Sequence, residues 1–207
     1  MRTIKKHDER RTEILDTAEK LFATKGYEKC TINDILKAVD IAKGTFYYYF
    51  KSKREVLDAI VSRYNDIIIE RINEIIDSPL SPETKFLEAF MAMNVQQKVG
   101  EVIMDEIHRS ENVLLHQNIL TQIILKVGPL LQKIIEEGIE KRQWECKFPL
   151  EYMQIFLAAS LTLIDEESFN FDETTRQRIL TALITLLEKM LCVPENSFLK
   201  LCFEQSK

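Results

Sequence analysis

Glycine and proline are both scarce, five of each among 207 residues, and no tract of glycine, serine or glutamine interrupts the chain. That excludes collagen-like, linker-like and low-complexity disordered chains. The four cysteines, Cys30, Cys146, Cys192 and Cys202, are scattered and form no C-x-x-C pair. Neither a zinc knuckle nor a redox motif is indicated, and free, partly buried thiols are the expectation. Long apolar runs are missing as well. The greasiest stretch, Ile155 to Ile164, is interrupted by Ser160 and Thr162 and falls short of the roughly 18 to 20 residues of a membrane span. The N-terminus opens with Arg2, Lys5 and Lys6 but continues polar, without the apolar centre of a secretory signal, so a cytoplasmic chain is expected. There is no glycine-rich phosphate loop, G-x-S-x-G elbow, H-E-x-x-H helix or plausible Cys–His pair, so neither catalysis nor a cofactor is expected. His108 and His116 lie near Asp105, Glu106 and Glu111, but their spacing matches no metal-ligand pattern and no metal is expected.

What is present is a helix-rich chain with 45% hydrophobic and 29% charged residues. Its net charge of −5 hides an asymmetry. Through Tyr64 there are 14 Lys and Arg against 10 Asp and Glu; the remainder carries 14 against 23. The positive excess sits where a polyanion would be met.

Apolar spacing predicts the elements. Ile14, Leu15, Ala18, Leu21 and Phe22 form one face of a helix from Asp8 to Lys25, ended by Gly26 in a left-handed cap. Thr31 caps a short helix whose inward face is Ile32, Ile35, Leu36 and Val39. After a tight connection at Asp40 and Ile41, a second short helix runs through Gly44, Phe46 and Tyr49. Phe46 and Phe50, four apart, anchor it in a small core and leave Lys43, Thr45, Tyr47, Tyr48 and Tyr49 largely outward. Three successive helical residues span about 200°, so the three tyrosines cannot all face inward. Two short helices joined by a turn, the second with a polar-aromatic face, form the helix-turn-helix pattern.

Ser52-Lys53-Arg54-Glu55 reads as a capping box, with Glu55 reaching back to Ser52. It opens a helix expected over 52–77, a rod of about 35 to 40 Å. Ser78-Pro79-Leu80-Ser81-Pro82 is a hinge and Ser81-Pro82-Glu83 a new helix start. Helical pattern continues from Phe86 to the neighbourhood of Ser110, and again from Asn112 to about Lys141, where Gly128-Pro129 should kink or divide it. Pro149 opens a helix through Ile164, and Asp172 caps a last one. After Pro194, where Phe198, Leu199 and Phe203 are interspersed, a docked turn and a frayed tail both fit.

The segments Ala18-Glu19-Lys20-Leu21-Phe22, Gly26-Tyr27, Thr31-Ile32-Asn33-Asp34-Ile35 and Ile41-Ala42-Lys43-Gly44-Thr45-Phe46-Tyr47-Tyr48-Tyr49-Phe50-Lys51-Ser52-Lys53 resemble, in this order, the DNA-binding region of the TetR (tetracycline-repressor) family. Two positions depart from the family's habit: Asp40 stands where glycine is usual in the turn, and Ala42 where serine usually precedes the recognition helix. Asp tolerates the left-handed conformation at modest cost, whereas Ala42 gives up a side-chain cap worth around 1 kcal/mol.

The resemblance implies an all-α chain: a three-helix DNA-binding domain over 1–51, then a larger helical domain over 52–207 that binds an effector and dimerises, with 52–77 as connector. It implies that Thr31, Lys51 and Lys53 clamp the DNA backbone. Lys43, Thr45, Tyr48 and Tyr49 would read base edges or thymine methyls, with Gly44 permitting close approach and Tyr47 bridging to a phosphate. Arg10 and Arg11 are further candidates, for an N-terminal arm, a solvated face being the simpler account.

One short helix reads few base pairs, so such readers pair on a two-fold site; the double-stranded DNA partner is expected to be a palindromic operator bound by a homodimer. The last two helices are the expected interface, centred on Leu183, Leu187 and Met190. The middle of the chain gathers Phe86, Phe90, Met93, Met104, Trp144, Met153 and Phe156, adaptable and aromatic side chains that suit a small, largely apolar effector, with ordinary core packing as the alternative. The functional expectation is a repressor released by that effector. The alternative is a DNA-binding structural or adaptor protein without one.

Overall fold

Every regular element among the described residues is a helix. The computed structural model describes residues 7–93, 113–164, 169, 171–198 and 200, with the backbone alone at 113–116, 118 and 119. The helices are α1 (His7–Lys25), α2 (Ile32–Val39), α3 (Lys43–Tyr49), α4 (Lys53–Ile76), α5 (Pro82–Ala92), α6 (Val113–Glu140), α7 (Pro149–Leu163) and α8 (Glu173–Met190). They form two compact units. The first runs through Ile67 and takes in 113–116; the second starts at Ile68 and resumes at Gln117. The division therefore falls inside α4. Val56, Leu57, Ile60 and Val61, all near-fully buried, make the N-terminal half of α4 part of the first unit's core.

In the first unit α1 buries Ile14, Leu15, Ala18 and Phe22. Gly26 ends it with φ +83°, the left-handed region where a side chain is strained, and its N–H donates to the Phe22 carbonyl at 3.0 Å. α2 begins with a full capping box. The Asp34 N–H donates to Thr31 Oγ1 at 3.2 Å, and the Thr31 N–H donates to Asp34 Oδ2 at 2.8 Å. Two donors that helix geometry would orphan are thereby satisfied. Asp40 takes the left-handed conformation at φ 54°, so the turn into α3 forms without glycine. α4 is tied back to α1 by a polar cluster: Arg63 donates to Asp16 at 2.5 Å and to Glu19, and the Tyr64 hydroxyl donates to Glu19. Burial and the Glu19 bond push the Tyr64 phenol up to about 12, so it remains a donor at any physiological pH.

In the second unit, α6 runs unbroken through Pro129. Proline in a helix interior costs about 3 kcal/mol. Its flanks, Val127, Leu130, Leu131, Ile134 and Ile135, are all buried, and at roughly 1.5 to 3 kcal/mol each they outweigh that cost. Gly128 keeps the crossing close: a Cβ there would stand 3.3 Å from the Gln154 side chain of α7. Gly138 is tighter, since a Cβ would fall 2.2 Å from the Trp144 ring.

Aromatic rings then link the unit in series: Phe90 to Phe156 (5.7 Å), Phe156 to Phe86 (5.9 Å), Phe86 to Phe198 (5.8 Å) and Phe198 to Trp144 (5.9 Å). Phe198 is 1% exposed, so the turn after Pro194 is docked at that point. It is held by Glu188, a buried carboxylate in α8 that accepts the N–H groups of Asn196 and Phe198, each at 2.9 Å. Lys85, 4% exposed, donates to the Ile76 carbonyl at the end of α4 (2.7 Å) and to Glu137 (2.8 Å).

Candidate nucleic-acid interface

A short helix carries exposed aromatics only if something else holds it down, and α3 is held from beneath. Phe46 (0% exposed) and Phe50 (2%) pack inward with ring centroids 6.1 Å apart, and the guanidinium of Arg11 lies 5.3 Å over the Phe50 ring. Arg10 is engaged within α1, donating to Glu13 at 2.5 Å. α3 starts without a side-chain cap at Ala42, leaving its first N–H groups to solvent.

The opposite face is open. Lys43 and Gly44 are exposed, Thr45 and Tyr49 half-buried, Tyr47 44% exposed and Tyr48 72% exposed. A Cβ on Gly44 would meet nothing within 4 Å, so the chain's own packing does not require glycine there. Tyr47 leans edge-on against Phe46 at 5.5 Å, with the Lys43 ammonium 5.8 Å from its ring centroid. Tyr48 and Tyr49 lean on each other at 5.0 Å.

The expected backbone clamps separate into two kinds. Lys51 is exposed, its own N–H accepted by Glu55 at 2.5 Å. Ser52 caps α4 through the Glu55 N–H at 3.1 Å, so Glu55 reaches back one residue further than the capping-box reading had it. Thr31 is exposed at the start of α2 and its hydroxyl is shared with Asp34 at 2.7 Å. Lys53 is turned onto the α1–α2 loop instead. Its ammonium donates to the Tyr27 carbonyl at 2.6 Å and sits 3.9 Å over the Tyr27 ring. Asp34 also takes a bond from Lys25 at 2.7 Å, and that bond, with those from Thr31, holds its carboxyl well below the usual carboxylate range.

Of the expected effector-contacting residues, Phe86, Trp144, Met153 and Phe156 are buried in the second unit's core, Phe90 and Met93 are half-buried, and Met104 lies outside the described residues. His108 and the His116 side chain also lie outside them. Of the expected dimer residues, Leu183 (6% exposed) and Leu187 (2%) are covered within the chain and Met190 is half-buried. The large apolar side chains exposed on α7 and α8 are Ile155, Leu180 and Leu186.

Sequence reasoning gave no part to His7, whose ring stands 4.8 Å from that of Tyr49 and 5.6 Å from that of Tyr48. No periodicity links the start of one helix to a residue two helices later. Glu188 carries no sequence signal of burial, and Phe198, an apolar residue within a polar stretch, fitted a docked turn and a frayed tail alike.

Comparison with known proteins agrees with this geometry. Residues 14–60 match the model of the bacterial regulatory proteins of the tetR family, and residues 93–186 match that of the tetracyclin repressor-like C-terminal domain. The chain is 34% identical over 83 residues to the HTH-type transcriptional repressor KstR2 of Mycolicibacterium smegmatis, a match covering 40% of each protein. It is 28% identical over 132 residues to the fatty acid metabolism regulator protein of Bacillus subtilis, covering 62% of this chain and 67% of that one. The match to the first of these curated relatives thus spans well under half its length. Among solved structures, a transcriptional regulator of the TetR/AcrR family from Thermobifida fusca superposes with a TM-score of 0.63 at 22% identity, covering 85% of this chain and 97% of that one. The structure of RolR with resorcinol gives 0.63 at 16% identity, covering 92% and 91%. With the helix-turn-helix, the helical second unit and both family models in agreement, the chain belongs to the TetR family of bacterial regulatory proteins.

Proposed function

We propose that this chain is a sequence-specific DNA-binding repressor, active as a homodimer on a palindromic operator and released by a small, largely apolar effector. One observation carries the DNA reading: α3 buries both phenylalanines and turns Lys43, Gly44, Thr45, Tyr47 and Tyr48 outward. A helix held from below with donors, a methyl and phenols on its free face is built to meet base edges in a major groove. Lys51 and the Thr31 end of α2 flank it as backbone contacts, while Lys53 supports the loop behind them. The repressor role follows that of the similar repressor KstR2, and an apolar effector accords with the similarity to the fatty acid metabolism regulator.

In the second unit the half-buried Phe90, which ends the ring series, and the half-buried Met93, three residues further along, are the proposed edge of the effector site. For the dimer, α7 and α8 pack on one another, and the proposed contact uses their outward side chains Ile155, Leu180 and Leu186, since Leu183 and Leu187 are already covered. α4 contributes to both units without a break, which makes it the proposed carrier of the effector's influence to α3.

The test is selection of duplexes from a random pool by the purified chain, repeated with medium-chain acyl compounds and with phenols. A two-fold symmetric enriched site, lost on addition of one ligand class, is the expected result. No enrichment at all would remove the DNA reading; an enriched site unaffected by every ligand shown to bind would leave the structural or adaptor role.

A further inference from the structure

We infer that His7, the first residue of α1, is a positioning residue for the recognition tyrosines. Its ring, with those of Tyr48 and Tyr49, makes a three-membered aromatic cluster on the outside of the protein. The His7 ring lies 4.8 Å from Tyr49 at an interplanar angle of 48° and 5.6 Å from Tyr48 at 78°; Tyr48 and Tyr49 meet at 5.0 Å and 87°. Each separation falls in the 4.5 to 7 Å range in which aromatic pairs attract, and the two steepest angles are the edge-to-face arrangement the ring quadrupole favours.

Such a cluster has a use because Tyr48 is 72% exposed. A phenol that far into solvent, on a helix, otherwise samples two χ1 wells and a freely flipping ring. Tyr47 is steadied by the buried Phe46. Tyr48 and Tyr49 are steadied by each other and by His7, which reaches them from a different helix. The imidazole is oriented in turn from its own side, with Nδ1 3.3 Å from Asp8 Oδ1. Fixing the phenols before DNA arrives removes an ordering cost from binding and limits which base-edge atoms their hydroxyls can meet. His7 thereby acts on sequence preference through Tyr48 and Tyr49. This role rests on the DNA-binding reading; the ring cluster itself does not.

The experiment uses the full chain with four variants, His7→Ala, His7→Phe, Tyr48→Ala and Tyr49→Ala. Without DNA, proton NMR of the His7 ring should show ring-current shifts that collapse in Tyr49→Ala. Unshifted resonances would overturn the inference whether or not the protein binds DNA. With the duplex enriched by the wild-type chain, His7→Ala should bind about two- to tenfold more weakly. In a fresh selection it should also relax the preference at base pairs that Tyr48→Ala and Tyr49→Ala identify. His7→Phe, which keeps a ring and loses the nitrogens, should restore both, and the two His7 variants should melt within about 4 °C of wild type. If His7→Ala keeps wild-type affinity and preference, or if His7→Phe is as impaired as His7→Ala, the positioning role is overturned. A wild-type chain that enriches no duplex would sink the DNA reading instead, and the proposed role with it.

Discussion

The recognition helix and the core of the second unit use aromatic side chains in opposite senses. In the first, Tyr47 and Tyr48 stand outside a helix whose Phe46 and Phe50 are hidden; in the second, Phe86, Trp144, Phe156 and Phe198 close on one another. A group of aromatics left in water together on one short helix points to something outside the chain, whereas an aromatic in a core accounts for itself by burial. That is why the first unit speaks of its partner through specific residues and the second only through its kind.

The largest expected contrast tests inward against outward rings. Phe46→Ala should cost about 3 to 5 kcal/mol of unfolding free energy by removing a fully buried ring. Tyr48→Ala should stay within about 0.5 kcal/mol of wild type while losing affinity for the selected duplex. Urea titrations paired with DNA titrations check both, and equal destabilisation by the two would erase the distinction. The next contrast sets the cations that fasten each unit against each other. Lys85 is buried between the Ile76 carbonyl and Glu137, so Lys85→Ala should cost about 2 kcal/mol by leaving the part-buried Ile76 carbonyl without this donor, while Glu137 keeps Lys141 at 2.6 Å. Arg63, with 30% of its side chain exposed, holds Asp16 and Glu19 in partial solvent, and Arg63→Ala should cost roughly 1 kcal/mol. Thermal unfolding in low and high salt separates them, since only the Arg63 difference should shrink with salt.

Two glycines sharpen the comparison further. Alanine is favoured over glycine inside a helix by about 1 kcal/mol. At Gly138 the Trp144 ring occupies the space of the methyl, so overpacking prevails and Gly138→Ala should destabilise by about 1 to 3 kcal/mol. At Gly44 the space is empty, so Gly44→Ala should raise the melting temperature and weaken DNA binding together. A rise in both would mean that nothing approaches Gly44 closely. The smallest effect concerns Asp34, whose carboxyl the Lys25 and Thr31 bonds hold low. A lowered folded-state value contributes stability that is complete above the ordinary carboxylate range and fades as pH falls through the folded value. Asp34→Asn should therefore be less stable than wild type at pH 7, with the gap closing in acid. A gap independent of pH would place the loss in shape rather than charge.

Legibility in the sequence followed the same division. The helix-turn-helix could be read because each of its steps depends on neighbours in the chain: Thr31 with Asp34, Asp40 in the left-handed region, Phe46 four residues from Phe50. The outward placement of Lys43, Gly44 and Tyr48 follows from helical phase alone. Lys53 was not legible as a loop support, because its partner Tyr27 belongs to another element and a lysine after a recognition helix has the same local pattern either way. On α8, spacing identified Leu183 and Leu187 as one apolar face without saying whether that face looks into its own chain or out of it, and both side chains are buried within the chain. Pro129 could not be weighed from sequence either, since the burial that carries α6 past it is tertiary.

The anchorage of Phe198 bears on how this protein can be trimmed. A chain cut after Pro194 would keep α1 through α8 in full, yet it would pull one ring out of the row between Phe86 and Trp144. It would also strand the Glu188 carboxylate in an apolar interior without the two amides it now serves. Asn196 and Phe198, beyond α8, are therefore a keystone for the second unit, and shortening designed to stop at the end of α8 would loosen what it meant to isolate.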